Sequence, residues 1–341
     1  MKALAKTDAG TGLELVDVPA PSIRPGEILV KVFAGGICGT DLHIYEWNAW
    51  ARARIRPPLI LGHEFCGTVV ESAATGSQVS VGDFVSGEGH IACGQCHSCR
   101  NGSFHICERL QVIGVDRDGA FAEFVAMPAG NAWKLEATIP REVAAIMDPL
   151  GNAVHAALEV SLAAKAVAVI GCGPIGLMAI PVCHMAGAAM VIATDISDHR
   201  LALARRMGAD LVLDAKTEDV PARIREATAG QGVDVVLEMS GNPKGLRDGL
   251  VALRKGGWVS LLGLPSGEVA VDIADQVIFK EARLVGIFGR RMWRTWEQAS
   301  ALLSKGLDVT PIITHRLPLD RFEDAFALLK TGSAGKVILY I

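Results

Sequence analysis

The chain has 341 residues, enough for two domains of ordinary size. Half of the residues are hydrophobic and 21% are charged, which is typical of a globular protein with a large apolar core. The 33 basic and 37 acidic residues give a net charge of −4, which argues against a nucleic-acid-binding surface or a polybasic membrane patch. No apolar run is long enough to cross a bilayer, and no signal peptide opens the sequence, so we expect a cytoplasmic protein.

The first third of the chain alternates short apolar runs with turn signals. Glycine, proline and charged residues separate these runs, as they do between strands that are joined by tight turns. The pattern therefore predicts a β-rich, barrel-like domain, with strands at 27–32, 67–72, 82–85 and 122–125.

Four cysteines lie within fifteen residues, with the spacing C-x2-C-x2-C-x7-C. Four thiolates on one short loop can close a tetrahedral shell around zinc and leave no open position for chemistry. A disulfide framework is the alternative, but such frameworks belong to short secreted chains. We therefore predict a structural zinc lobe at about 89–110, with the ligands Cys93, Cys96, Cys99 and Cys107.

From about residue 149 onward, apolar helices alternate with apolar strands rich in β-branched residues. Continuous apolar runs are typical of strands that are buried on both faces, and alternating βαβ units predict a parallel, doubly wound sheet. A helix at 200–207 ends before a glycine, and a closing strand at 336–340 is expected to return to the first domain. The predicted strands of the sheet are 166–170, 190–194, 233–237 and 258–262.

A glycine motif of the form G-x-G-x-x-G follows the strand predicted at 166–170. Gly171 permits a tight turn, Gly173 lets the backbone approach a pyrophosphate, and Gly176 lets helix and strand pack closely. Ile175 lies in the same motif, at the predicted helix N-terminus that offers free N–H groups to phosphates. The motif alone is weak evidence for nucleotide binding, because a tight strand-to-helix turn without a ligand can have the same glycines.

Asp195 strengthens the nucleotide hypothesis, because it ends the next predicted strand about 20 residues further on, where a carboxylate accepts ribose hydroxyls. An acid here repels the 2′-phosphate of NADP, so we favour NAD. Arg200 either contacts the adenosine end of the cofactor or is a solvated helix cation.

Two glycine-bearing loops follow later strands of the predicted sheet. Ligands of doubly wound sheets bind at the carboxyl ends of the strands, although such loops are also ordinary connections. The candidates for lining the nicotinamide half of the cofactor are Leu262, Gly263, Leu264, Gly286 and Ile287.

Cys38, His63 and Glu64 form a second candidate metal site. Three ligands of these types suit zinc and leave a position for water or substrate. Singly, a cysteine is usually a small core residue and a histidine is more often structural. The glycine-rich flanks of all three residues and the nearby cysteine cluster favour the combined hypothesis.

The order of these motifs resembles that of the zinc-containing medium-chain dehydrogenases over essentially the whole chain. G-x-C-G-T-D-x-H at 36–43 and G-H-E-x-x-G at 62–67 precede the cysteine lobe and the glycine motif. The resemblance implies an α/β protein in which a β-rich, GroES-like catalytic domain spans 1–148 and 294–341. It also implies a Rossmann NAD-binding domain at 149–293.

The resemblance also implies roles for individual residues. Each subunit would hold one catalytic zinc on Cys38, His63 and Glu64 and one structural zinc on the four cysteines. Thr40 and His43 would relay the alkoxide proton to water, although a turn-forming threonine and a surface histidine are the plainer interpretations.

Asp148 marks a departure from the family pattern. Related alcohol dehydrogenases have a cysteine in this later region as the third protein ligand, and polyol dehydrogenases often have a glutamate there. Asp148 either approaches the zinc or tunes it from outside the ligand shell, and we favour the second role.

Segments 40–47, 86–91, 148–155 and 312–316 favour members of the family that act on an amino acid. The resemblance therefore implies NAD-dependent oxidation of the β-hydroxyl of L-threonine to 2-amino-3-oxobutanoate, in a homotetramer. His90 and the segment 47–50 are candidates for contacting the substrate. A polyol or secondary-alcohol dehydrogenase is the nearest alternative, and a non-catalytic nucleotide-binding protein is a more remote one.

Overall fold

The computed structural model describes residues 1–341 and divides into two compact units. The first unit comprises Met1–Asp148, Arg291–Trp296 and Ile313–Ile341, and the second comprises Pro149–Arg290 and Glu297–Ile312. None of the helices combines the length and the apolar character that a membrane crossing needs.

One segment departs from the division that the sequence suggested. We expected 294–341 to belong entirely to the first domain, but Glu297–Ile312 packs within the second unit. Val309 and Ile312 are fully buried, and the turn Thr310–Ile312 contacts two helices of that unit. The sequence shows that these residues are apolar, but it does not show which of the two units they pack in.

The first 158 residues form ten short strands and five helices. Their strands are β1 Lys2–Lys6, β2 Glu14–Asp17, β3 Glu27–Gly36, β4 Leu59–Ile60, β5 Glu64–Ser72, β6 Phe84–Gly87, β7 His90–Ile91, β8 Gln111–Val112, β9 Phe124–Pro128 and β10 Ala132–Lys134. Their helices are α1 Gly39–Tyr45, α2 Ala49–Arg54, α3 His97–Arg100, α4 Arg141–Ala144 and α5 Met147–Leu158.

The remainder of the chain alternates strands with longer helices and then returns to the first unit. The strands are β11 Ala166–Ile170, β12 Met190–Asp195, β13 Leu211–Asp214, β14 Val233–Glu238, β15 Leu253–Leu261, β16 Arg283–Gly286, β17 Ile313–Pro318 and β18 Lys336–Tyr340. The helices are α6 Pro174–Met185, α7 Asp198–Arg206, α8 Val220–Ala227, α9 Pro243–Ala252, α10 Arg294–Ser304 and α11 Phe322–Thr331.

The second unit contains a six-stranded sheet in the order β13-β12-β11-β14-β15-β16. All neighbouring strands in it are parallel. Its central strands are almost wholly buried, because helices cover both faces and leave no polar side to the sheet. The strand order reverses between β11 and β14, and the crevice at such a reversal is where doubly wound sheets bind nucleotides.

The first unit is built around a seven-stranded sheet in the order β10-β6-β5-β3-β18-β17, with β9 also paired to β3. Its register places Gly36 of β3 opposite both Glu64 of β5 and Ile338 of β18. The carboxyl end of β3 therefore meets the amino ends of β5 and β18. This meeting point brings together side chains that lie far apart in the sequence.

The structure changes the bounds of the predicted strands of the first unit. The strand expected at 82–85 is Phe84–Gly87, because Gly82 has a φ of 95° and forms a turn. The strand expected at 67–72 begins earlier, at Glu64, directly after His63. The second shift matters for the site, because it puts a candidate metal ligand at the first position of a buried strand.

Candidate functional site

The four-cysteine lobe is a loop closed at its base by the two-stranded ribbon β7–β8. The four sulfur atoms lie within 4.8 Å of one another, and all four cysteines are free of disulfides. Four thiolates about 2.3 Å from a zinc ion stand roughly 3.8 Å apart at tetrahedral angles. Cys96 Sγ and Cys107 Sγ are 3.9 Å apart, which is close to the spacing that a tetrahedral zinc site requires of a pair of thiolates.

Hydrogen-bond donors around the sulfur atoms favour thiolates. The Gln95 N–H and the Arg109 guanidinium donate to Cys93 Sγ and lower its pKa to about 5. Burial raises the pKa of Cys99 to about 12, which a bound cation would reverse. The donor set and its surroundings therefore fit a closed tetrahedral metal site.

Cys38, His63 and Glu64 converge at the meeting point of β3 and β5. Cys38 follows the end of β3, whereas His63 and Glu64 lie where β5 begins. One possible ligand atom from each residue lies within 4.8 Å of the others. His63 and Glu64 are buried and Cys38 is partly exposed, so the cluster has one accessible side.

Asp41 lies beneath this cluster and has no exposed surface. Its Oδ2 accepts the Cys38 backbone N–H at 2.8 Å, and its Oδ1 lies 3.6 Å from His63 Nδ1. Burial opposes a charged imidazole, but Asp41 and Cys38 raise the pKa of His63 to about 10. The anionic surroundings thus favour a positive charge at this point, which is a property expected of a cation site.

Lys336 adds a buried ion pair to the cluster. Its ammonium lies 2.7 Å from Glu64 Oε1 and also donates to the Ile37 carbonyl at 2.8 Å. Burial raises the pKa of Glu64, and Lys336 opposes this shift. A Cβ at Gly36 would lie 2.4 Å from Glu64 Oε2, so the absence of a side chain there lets the two charges meet.

The proposed relay residues lie on α1, which begins directly after Cys38. Thr40 Oγ1 is 3.8 Å from Cys38 Sγ. His43 is exposed one helical turn further on, so the two side chains follow one face from the cluster towards solvent.

Asp148 lies beside this cluster without belonging to it. The three ligand atoms within 4.8 Å of one another come from Cys38, His63 and Glu64 alone. The charge of Asp148 nevertheless contributes to the pKa shifts of Glu64 and His63. This position is compatible with the favoured tuning role of Asp148, which stays a prediction.

The three motif glycines meet different constraints. Gly171 has a φ of 97°, and a Cβ at Gly176 would lie 2.0 Å from the Gly171 carbonyl oxygen. A Cβ at Gly173 would meet nothing within 4 Å. Gly173 caps α6, and Ile175 lies in the first turn of that helix. The open space at Gly173 is available for a ligand to approach the helix N-terminus.

A cavity of about 290 Å³ opens beside these glycines and is lined by Asp195 and Arg200 among others. Asp195 Oδ2 accepts the Cys172 N–H at 2.7 Å, and its Oδ1 accepts the N–H groups of Ile196 and Ser197. Arg200 lies 3.9 Å from Asp195 Oδ2. Asp195 therefore holds the first glycine turn in place and also faces the cavity.

The glycine-bearing loop at 262–264 is held by Glu238, a buried residue that we did not predict. Its carboxylate accepts the N–H groups of Ser240 and Gly241, and its carbonyl oxygen accepts those of Leu262 and Gly263. The loop of Leu262, Gly263 and Leu264 thus packs on the loop that follows β14. A charged residue at the end of an apolar strand was the signal that could have identified it.

Gly286 and Ile287 lie at the corresponding end of the neighbouring strand. Gly286 ends β16, and Ile287 donates its N–H to the Leu261 carbonyl at 2.8 Å. The structure therefore places them at the same sheet edge as Leu262, because β15 and β16 are parallel neighbours. Their contact with nicotinamide stays a prediction.

Comparison with known proteins identifies two family models along the chain. A model described as zinc-binding dehydrogenase matches residues 174–305, and one described as alcohol dehydrogenase GroES-like domain matches residues 24–137. The L-threonine 3-dehydrogenase of Symbiobacterium thermophilum is 48% identical over 341 residues, covering 99% of this chain and 97% of its own. That of Pyrococcus horikoshii is also 48% identical, covering 100% and 99%.

A solved structure shows the same architecture with a cofactor bound. It is described as a short chain alcohol dehydrogenase from E. coli CFT073 complexed with the cofactor NADH. It superimposes with a TM-score of 0.90 at 28% identity, covering 100% of this chain and 99% of its own. The similarity extends over both units rather than one of them.

Proposed function

Because this chain belongs to the zinc-binding dehydrogenase family, we propose that it oxidises the β-hydroxyl of L-threonine to 2-amino-3-oxobutanoate. The choice of L-threonine as the substrate is supported by relatives named L-threonine 3-dehydrogenase, which are 48% identical over nearly their whole length. The convergence of Cys38, His63 and Glu64 on one accessible point supports the chemistry. The unit Met1–Asp148, with its returning segments, is the catalytic domain, and the six-stranded unit binds the nicotinamide cofactor.

Two bound groups supply the reactive chemistry. Cys38, His63 and Glu64 would hold a zinc ion, which would supply Lewis-acid activation of the alcohol, and the six-stranded unit would hold a nicotinamide cofactor, which would supply the hydride acceptor. A second zinc ion, held by the four cysteines, stabilises the lobe. The stoichiometry is one catalytic and one structural zinc per subunit.

The residues around the Cys38 site orient its ligands and transfer the substrate proton. Asp41 orients His63 from behind, as carboxylates commonly do for histidine ligands, and Lys336 fixes Glu64. The Thr40 hydroxyl, near Cys38 Sγ, takes the substrate proton and passes it towards His43 at the surface. Asp148 adjusts the electrostatic potential of the cluster without ligating the metal.

The substrate assignment is tested with a panel of alcohols. We expect the zinc-loaded protein to form NADH with L-threonine at a kcat/KM at least about tenfold above those for sorbitol and 2,3-butanediol. The protein without zinc at the Cys38 cluster is the matched control and should be inactive. A higher kcat/KM for either diol would replace the proposal with the polyol or secondary-alcohol alternative.

We propose NAD rather than NADP as the cofactor, because the Asp195 carboxylate faces the cavity at the expected ribose position. Replacing Asp195 with glycine should lower the NAD-to-NADP ratio of kcat/KM by about tenfold or more, since charge repulsion is lost. Asp195 also holds the glycine turn, so unfolding of the variant is measured in parallel. A ratio equal to that of the wild type in a folded variant would contradict the role of Asp195.

We propose a homotetramer, and the exposed edge of the six-stranded sheet supports association between copies. Strand β16 lies at that edge, where an unpaired strand invites pairing with another chain. Leu284 on this strand and the nearby Ile278 and Phe279 are exposed apolar residues. A cytoplasmic location agrees with a thiolate cluster that requires reduced cysteines.

A further inference from the structure

Cys93 is the most accessible of the four cysteines in the lobe. Cys96, Cys99 and Cys107 are buried, whereas Cys93 is partly exposed. Backbone N–H groups support the sulfur atoms, since Gln95 donates to Cys93 Sγ at 3.5 Å and Cys93 donates to Cys107 Sγ at 3.3 Å. A reagent in solution therefore meets Cys93 before it meets the other three ligands.

Arg109 contacts the first and the last cysteine of the lobe. Its backbone N–H donates to Cys107 Sγ at 3.3 Å, which fixes the start of its side chain beside the last ligand. Its guanidinium donates through Nη2 to Cys93 Sγ at 3.4 Å, although 16 residues separate the two in the sequence. The side chain of Arg109 thus spans the lobe and ends on the one partly exposed sulfur atom.

The charge of a zinc-loaded lobe favours this contact. One Zn²⁺ and four thiolates carry a net charge of about −2, because thiolate ligands are deprotonated. An arginine side chain stays protonated and offers only donors, so it forms a charge-assisted hydrogen bond with a thiolate. Arg109 is itself exposed, and water screens part of the attraction. The hydrogen bond also makes the sulfur less nucleophilic, since the nucleophilicity of a thiolate falls with its basicity.

We propose that Arg109 retains the zinc ion in the cysteine lobe by covering and neutralising Cys93, the ligand at which loss of the metal begins. Arg109 is a positioning residue, because it acts on Cys93 and does not bind the metal. This inference rests on the structural zinc of the proposed function. It adds the order in which the ligands are lost, with Cys93 first and the three buried cysteines after it.

The zinc-loaded, full-length protein is treated with iodoacetamide, and peptide mass spectrometry follows each cysteine separately. Alkylation forms a bond between carbon and sulfur, releases iodide and removes that sulfur as a thiolate ligand. In Arg109→Gln we expect Cys93 to be labelled about tenfold faster than in wild type, as when an outer partner of a metal ligand is lost. The three buried ligands should follow together. The rate at Cys38 reports on the other candidate metal site in the same sample and should not change.

Two further variants separate the contact with Cys93 from the net charge of the lobe. Arg109→Lys keeps the charge without the planar fork and should recover part of the protection of Cys93. Arg100→Gln is the matched control, because it removes the same charge from the exposed end of α3 within the lobe. It should be labelled like wild type. A folded Arg109→Gln protein that holds no zinc in the lobe, while Arg100→Gln holds it, would support the proposal in its strongest form.

Equal rates of labelling at Cys93 in Arg109→Gln and in wild type would overturn the proposal. An equal acceleration in Arg100→Gln would also overturn it, because the net charge of the lobe would then matter and the contact would not. If all four lobe cysteines of the zinc-loaded wild type were labelled at once, the structural zinc itself would be refuted. That result comes from the wild type alone, so the two failures are distinguishable.

Discussion

At the scale of single residues, the candidate metal site depends on a partner far along the chain. Glu64 and Lys336 are separated by 272 residues, and both side chains are almost completely buried. A buried ion pair contributes little over an apolar pair of similar shape, but removing one partner leaves an uncompensated charge. Lys336 therefore stabilises the fold, because without it the buried Glu64 carboxylate would have no counter-ion.

Replacing Lys336 with methionine should destabilise the metal-free protein by about 3–5 kcal/mol, because Glu64 loses its counter-ion. Lys134→Met is the control, since Lys134 pairs with Asp83 at 2.7 Å on the surface and should cost less than about 1 kcal/mol. Urea denaturation of both variants measures the difference. If both variants lost equally little free energy of unfolding, the Glu64 side chain would have to be protonated, and so uncharged, in the metal-free protein.

The candidate ligands could be predicted from the sequence, because each lies in a short motif. Cys38, His63 and Glu64 are indicated by their glycine-rich flanks and their ligand chemistry. Asp41 lay within the quoted motif, but its place under His63 follows from the start of α1. Lys336 could not be predicted as part of the cluster, because its partner Glu64 lies 272 residues away and no local pattern marks the pair.

At the scale of elements, the strands of the parallel sheet were the most predictable part of the fold. The strand at 166–170 has the predicted bounds, and those predicted at 190–194 and 233–237 each extend one residue further, since continuous apolar runs specify burial on both faces. The two-residue strands β4, β7 and β8 were not predicted. Such short pairs depend on tertiary contacts rather than on a local period.

The glycine motif separates a folding role from a binding role within one turn. Gly176→Ala should destabilise the protein by about 1–3 kcal/mol, because its methyl group would clash with the Gly171 carbonyl. Gly173→Ala should change stability by less than about 1 kcal/mol, yet weaken NADH binding by about tenfold or more. Thermal unfolding and NADH titration of the two variants measure these effects. Unchanged NADH affinity in Gly173→Ala would place the pyrophosphate elsewhere.

At the scale of the whole molecule, the edge strand β16 is where the proposed association between copies can be tested. Leu284→Lys should shift the protein towards smaller species in analytical ultracentrifugation, because a charge on an edge strand opposes pairing with a second copy. Val81→Lys, at an exposed apolar position of the first unit, is the control and should leave the mass unchanged. An unchanged mass in Leu284→Lys would exclude this edge from the interface.

The position of β18 has a consequence for the order in which the protein is made. The segment Pro149–Arg290 contains all six strands of the parallel sheet, so a nascent chain can complete that sheet early. The seven-stranded sheet still lacks β18, which lies between β3 and β17. Until the ribosome reaches Lys336, the Glu64 carboxylate has no ammonium beside it. We therefore expect the unit that contains the parallel sheet to fold first and the proposed metal site at Cys38, His63 and Glu64 to be completed last.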